Sequence, residues 1–212
     1  MSSSPESGHR VVLEAARTLR AAVHELADRS ITVDPDPADL SAAAGLVEEA
    51  AAVLAGHPAA PWWEGPAGDL DGIRTYRRRS LLQGELHPFS PTVRWEEGQG
   101  PDGQPGRAFR VTLPRLYQGP PGAVHGGFVA AMFDELLGSV QSLAREGGGY
   151  TAKLEVRYRN LTPLDRELRF VGWLVADKGR RVQVEATCMA GDTRCADAHG
   201  LFVRPAERRM GP

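Results

Sequence analysis

Residues 125–149 read HGGFVAAMFDELLGSVQSLAREGGG, and the fold turns on how this stretch is read. Phe128, Val129, Ala130, Ala131, Met132, Phe133, Leu136, Leu137, Val140 and Leu143 leave almost no polar face. The helix they predict must therefore be surrounded by protein rather than lie on a surface. Gly147, Gly148 and Gly149 are expected to end it. Strand-like segments flank it on both sides. TVRWEEG (92–98) and RAFRVTLP (107–114) bracket GQGPDGQPG, a loop of turn residues, and predict a hairpin. After the helix come TAKLEVRYR (151–159), ELRFVGWLV (167–175), RVQVEATCMA (181–190) and TRCADAHGLFV (193–203). In the first of these, Leu154, Val156 and Tyr158 alternate with Lys153, Glu155, Arg157 and Arg159, the period-2 pattern of a sheet with one dry and one wet face. The expected fold class is α+β, with a six-stranded antiparallel sheet curled around one central helix.

Within that apolar helix sits Asp134. A carboxylate there costs several kcal/mol unless it is paired or protonated. Its neighbours at helical spacings of three and four are Ala130, Ala131, Leu137 and Gly138, which neither neutralise it nor crowd it. Either Asp134 serves a ligand or it emerges at a rim and faces water; Glu135, about 100° round the helix, reads as structural. Gly126 and Gly127 open the helix, so free backbone N–H groups at its positive end point where no side chain obstructs approach. That is a ready site for a carbonyl or oxyanion.

The N-terminal part differs in character. Val12, Ala15, Ala16, Leu19, Val23 and Leu26 predict an amphipathic helix over 10–29. A second is expected from the Asp36 cap and Pro37, with Leu40, Ala43, Ala44, Val47, Ala51 and Leu54 as its stripe and a stop at Gly56 and Pro58. Residues 1–60 are expected as a helical hairpin, 61–87 as a surface linker anchored by Trp62 and Trp63, 88–206 as the sheet domain and 207–212 as a tail. The 212 residues are 42% hydrophobic and 25% charged with net charge −2, which is ordinary for a globular protein and gives no reason to expect nucleic acid or an anionic membrane as partner. No run approaches the roughly 18 apolar residues of a membrane span, and the N-terminus lacks a signal-peptide pattern, so a cytoplasmic location is expected. Cys188 and Cys195, across a turn at Gly191-Asp192, are expected as reduced thiols, although a cross-strand disulfide is sterically conceivable.

VHGGFVAAMFDELLG, continuing into TAKLEVRYRNLTPL and KGRRVQVEATCMAG, resembles the HGG-x6-D signature of the PaaI-type hotdog thioesterases over roughly residues 88–205. The resemblance implies a hotdog fold, hydrolysis of an acyl-CoA thioester without cofactor or metal, and obligate dimers, often paired into tetramers. It puts Asp134 on the catalytic carboxylate, as general base or nucleophile. It puts the Gly126 N–H on the oxyanion donor, His125 on the group that positions carbonyl or water, and Thr151 on a hydroxyl that orients the water. Arg180 and Arg181 resemble cations for the CoA phosphates, with Arg157 or Arg159 assisting. Gly127 and Phe128 fall beside the substrate; Met132, Phe133 and Leu137 serve either the acyl channel or the core. Relatives carry an asparagine shortly before HGG, whereas this chain reads YQGPPGAVHGG and offers only Gln118. Helix geometry adds that His125 and Asp134, nine residues apart, lie about 13.5 Å from each other, so a site using both must be shared between chains.

Other chemistries fit less well. There is no G-x-S-x-G elbow, the six histidines show no ligand spacing, and no phosphate-cradling loop appears. A non-catalytic acyl-CoA binder or ligand sensor is the main rival. A nucleic-acid-binding N-terminus is opposed by charge: in residues 1–60, four arginines stand against nine acids and no lysine is present, a net −5.

Overall fold

The computed structural model describes residues 5–56, 77–145 and 149–205. The chain divides into two compact units, with the boundary between Phe89 and Ser90. The second unit holds strands β1 (Arg94–Gln99) and β2 (Pro105–Thr112), a single turn of 3-10 helix at Arg115–Tyr117, the central helix α3 (Gly126–Gln141), and strands β3 (Tyr150–Tyr158), β4 (Glu167–Lys178), β5 (Arg181–Ala190) and β6 (Thr193–Val203). The six strands form one antiparallel sheet in the order β1-β2-β4-β5-β6-β3, and α3 packs against β2, β3, β4, β5 and β6. This is the hotdog arrangement. The period-2 strand patterns and the apolar helix are what produce it, because each supplies the dry face the other lacks.

Val129, Met132, Phe133, Leu136, Leu137 and Val140 form the buried face of α3. They meet Phe109, Leu168, Phe170, Val182, Val184 and Phe202 of the sheet, all nearly or wholly inaccessible. Phe133 sets its edge on Phe170 at 5.1 Å, and Phe170 stacks on Phe109 at 4.9 Å. Gly172 lets the helix approach: a Cβ there would sit 3.1 Å from Leu136 and Val140. The sheet covers this one side only. Ala130, Ala131, Asp134 and Gly138 are half-buried and Gly127 is exposed, so α3 is not enclosed all round within a single chain. The helix is also shorter than its composition predicts. After Gln141 the chain tightens, with Leu143 N–H on the Val140 carbonyl, and Leu143 is exposed outside the helix. The buried Gln141 amide binds both backbone groups of Gly149 and turns the chain into β3; Gly147 and Gly148 lie outside the described residues.

Cys188 and Cys195 are free and buried. A β-bulge makes Cys195 the extra residue opposite Cys188, which itself pairs with Ala196. The thiol of Cys188 donates to Cys195 and draws its pKa down to about 7, while the same contact and burial push Cys188 up.

The first unit holds α1 (Pro5–Thr32), longer at both ends than expected, and α2 (Pro37–Ala55). Asp36 caps α2, its carboxylate accepting the Ala38 and Asp39 N–H groups at 2.8 and 2.9 Å. The inner side of α1 rests on the turns of 77–88: Arg20 donates to the Glu85 carbonyl, and His24 meets that of Pro88. No residue of α2 is buried. Pro58, Trp62, Trp63 and the tail lie outside the described residues.

Candidate active site

The loop before α3 is folded tightly against the start of the helix. His125 N–H reaches the Tyr117 carbonyl at 2.8 Å, Gly119 N–H that of Ala123 at 2.9 Å, and Val124 N–H that of Thr162 at 2.8 Å. Gln118 bridges Val124, which brings it beside His125, and it is exposed. Gly119 is required here, since a Cβ would lie 2.7 Å from the His125 Cα. His125 then caps α3 with its side chain: Nδ1 accepts the Gly127 N–H at 3.0 Å. An accepting Nδ1 assigns the proton of the neutral ring to Nε2, which leaves the outer edge of His125 as a donor. The Gly127 N–H is thereby consumed. Among the described residues no acceptor meets the Gly126 N–H, at the positive end of the helix.

Tyr158 completes this turn. Its hydroxyl donates to the Gly126 carbonyl at 2.7 Å, and its ring lies over Gly126. A cleft of about 550 Å³, mostly apolar, opens beside it between His125, Gly126, Tyr158, Asn160, Leu161 and Thr162. Sequence reasoning assigned Tyr158 only to the dry face of its strand. The available signal was its hydroxyl at the end of that alternation.

Asp134 lies eight residues beyond Gly126, about 12 Å along the same unbroken helix. It is half-buried, and Oδ1 accepts the Thr151 hydroxyl at 2.9 Å. Thr151 belongs to the wet-face set of β3 by simple alternation. A bulge between Thr151 and Lys153 reverses the facing and sends its side chain to α3. Phe128 is half-buried and its ring lies tilted against that of Tyr117, with centroids 4.2 Å apart, while Met132, Phe133 and Leu137 are wholly in the core. Arg180 and Arg181 are exposed in the β4–β5 turn, where Gly179 takes φ +57. Register places that turn at the Thr151 end of the sheet, since Arg181 pairs with Val203 and Val203 with Tyr150. Arg180 Nε donates to the Arg204 carbonyl at 3.1 Å, and Arg204 in turn bonds Asp177 at 2.8 Å. The Arg204 guanidinium holds the Asp177 carboxyl below its ordinary range. Arg159 is engaged with Asp197 at 2.8 Å. A single chain thus gathers His125, Gly126, Gly127 and Gln118 at one point, Asp134 with Thr151 at a second, and Arg180 with Arg181 at a third. Among the described residues no cluster of side chains has metal-binding composition.

No family profile matches the sequence. A crystal structure of a thioesterase superfamily protein is 30% identical, with TM-score 0.71 and alignment over 91% of this chain and 94% of that one. The chain belongs to the thioesterase superfamily. Zebrafish thioesterase superfamily member 2 shares the fold at 11% identity and TM-score 0.51, over 64% of this chain and 98% of that one. Human acyl-coenzyme A thioesterase THEM5 is 48% identical over 48 residues, 23% of this chain; the match spans only 19% of that protein. Among the described residues of this superfamily member, no helix is long and apolar enough to cross a membrane.

Proposed function

We propose that the chain hydrolyses an acyl-CoA thioester to the free acid and CoA, in the cytoplasm, at active sites shared between two copies in a homodimer or a dimer of dimers. One observation carries this reading: a single helix bears an unclaimed N–H at Gly126 and, on its open face, a carboxylate at Asp134 tethered by a hydroxyl. Thioester hydrolysis needs a donor where the carbonyl oxygen gains charge and a base or nucleophile at the carbonyl carbon. Standing about 12 Å apart on one helix, the two groups cannot serve the same thioester. Gly126 of one copy therefore works with Asp134 of another.

In the base route Asp134 takes a proton from water, and the water oxygen attacks the carbonyl carbon. Charge on the carbonyl oxygen rests on the Gly126 N–H; the C–S bond then breaks and the CoA thiolate takes up the proton. Direct attack by Asp134, followed by hydrolysis of the anhydride, gives the same balance. Thr151 holds Oδ1 and leaves Oδ2 for the water. The Nε2–H of His125 positions carbonyl or water, assisted by Gln118, while Gly127 and Phe128 flank the thioester and Arg180 and Arg181 take CoA phosphates. The activity named for the human relative supports CoA as the carrier.

The test is thiol release from a panel of acyl-CoAs by wild type, Asp134→Ala and Gly126→Pro. Proline is tolerated at the first position of a helix, and His125 at ψ 129 accepts a following proline, so the second variant removes the N–H without breaking the helix. Its ring carbons come into ordinary contact with Tyr158 at 3.4 Å and fill the space in front of the amide. Asp134→Ala is expected to lose roughly 10²–10⁴ in kcat/KM, and Gly126→Pro about 10²–10³. Equal turnover by Asp134→Ala and wild type contradicts the assignment; binding of acyl-CoA without turnover by wild type supports the ligand-binding rival.

A further inference from the structure

Gly126 and Gly127 carry no side chains, so the peptide unit that joins them is free to rotate unless something else holds it. Two side chains hold it, one at each end. The hydroxyl of Tyr158 donates to the carbonyl end, the Gly126 oxygen, at 2.7 Å. The other end, the Gly127 N–H, donates to His125 Nδ1 at 3.0 Å. The phenol, this amide and the imidazole thus form one continuous chain of hydrogen bonds that ends at Nε2. The ring has little room to leave the chain. A Cβ on Gly119 would stand 3.2 Å from its Cδ2, and one on Gly127 would stand 3.1 Å from its Nδ1. The far end is equally anchored. Tyr158 closes β3, and the next two residues, Arg159 and Asn160, both donate their N–H to the Cys195 carbonyl, at 2.8 and 3.0 Å. Burial does not demand the Tyr158 bond. The residue is 52% exposed, and water would satisfy its hydroxyl as well. What the bond adds is a fixed direction for the peptide and for the group beyond it.

We propose that Tyr158 is a positioning residue: through the Gly126–Gly127 peptide it holds the His125 ring with Nδ1 as acceptor and Nε2–H as donor to the thioester or water. This rests on the hydrolytic reading above and adds to it a residue that touches no reacting atom. A donor on the carbonyl oxygen draws electrons from the amide nitrogen, which makes the Gly127 N–H a stronger donor. Such reinforcement along a chain of hydrogen bonds is about 10–30% per bond. A stronger donor facing Nδ1 disfavours the tautomer with its proton there, because two N–H groups would then meet. Nε2 keeps the proton, and the ring presents it at the cleft that His125, Gly126 and Tyr158 line together. The Gly126 N–H belongs to the preceding peptide, whose carbonyl accepts the Phe128 and Val129 N–H groups at 2.9 and 3.1 Å. The helix itself fixes that donor, so Tyr158 acts on His125.

Tyr158→Phe removes the hydroxyl and keeps the ring over Gly126, so the cleft retains its lining. Two readouts are taken on the full chain. Nitrogen-15 NMR of His125, assigned against a His125→Ala spectrum and recorded where the ring is neutral, is expected to show one tautomer in wild type, protonated on Nε2. In Tyr158→Phe it is expected to show a mixture of both. In thiol release from the acyl-CoA that wild type turns over fastest, Tyr158→Phe is expected to lower kcat about tenfold, the scale of one orienting hydrogen bond, with KM within about twofold. In a His125→Ala background the same change is expected to cost under about twofold, since the group it positions is gone. His125 signals identical in wild type and Tyr158→Phe overturn the proposal. So does full retention of kcat in Tyr158→Phe, or a tenfold loss that persists in the His125→Ala background. A wild type that binds acyl-CoA without turnover overturns the hydrolytic reading instead, and the NMR comparison still decides whether Tyr158 sets the ring.

Discussion

Helices α2 and α3 are both mainly apolar and carry nearly the same share of acids: three among nineteen residues in one, two among sixteen in the other. Seven residues of α3 are buried, and none of α2. Apolar composition states that a helix requires cover but does not name the cover. For α3 the chain's own sheet supplies it, on the side of Met132, Phe133, Leu136 and Val140. The other side, where Gly127, Ala130, Asp134 and Gly138 lie, is open like α2. In the proposed reaction a second copy meets the open surface of α3.

The comparison is sharpest in stability. Leu136→Ala removes a wholly buried side chain from the helix–sheet core and is expected to cost about 2–5 kcal/mol in urea unfolding. Leu40→Ala, made in α2, is expected to stay within about 0.5 kcal/mol of wild type. Equal losses would mean that α2 is packed within its own chain.

A smaller effect separates the two regions by pH. Hydrogen bonding from Arg204 lowers the pKa of Asp177 below its ordinary 3.8. A depressed carboxyl contributes stability above its unfolded value and loses it as pH falls through the lower folded value. The urea midpoint of the sheet unit should therefore drop as pH is lowered through 3.8, and Asp177→Asn should flatten that slope while Leu40→Ala leaves it unchanged. An unaltered slope in Asp177→Asn would remove the ion pair from the account.

Much of this architecture was legible in the residues. Period-2 alternation marked the strands, with β5 and β6 spanning the segments RVQVEATCMA and TRCADAHGLFV, and the Asp36-Pro37 start of α2 followed from capping chemistry. What escaped depended on contacts between distant segments. The early end of α3 comes from Gln141 reaching Gly149, an interaction no helical propensity encodes. Thr151 reaches Asp134 only because a bulge breaks the alternation, and bulges leave no reliable mark in a single sequence. The resemblance already assigned the Gly126 N–H as the donor; that His125 consumes the neighbouring Gly127 N–H required the geometry of the cap. The expectation of a helix surrounded on all sides treated one chain as its whole environment.

The shared site is tested most directly by mixing two inactive chains. Asp134→Ala and Gly126→Pro each spoil both sites of a homodimer, but a mixed dimer holds one site with both groups intact. After reassembly of equal amounts, thiol release is expected to recover to about a quarter of the wild-type rate, because half the dimers are mixed and each has one working site. No recovery, with mixed dimers shown to have formed, would contradict a site built from two chains.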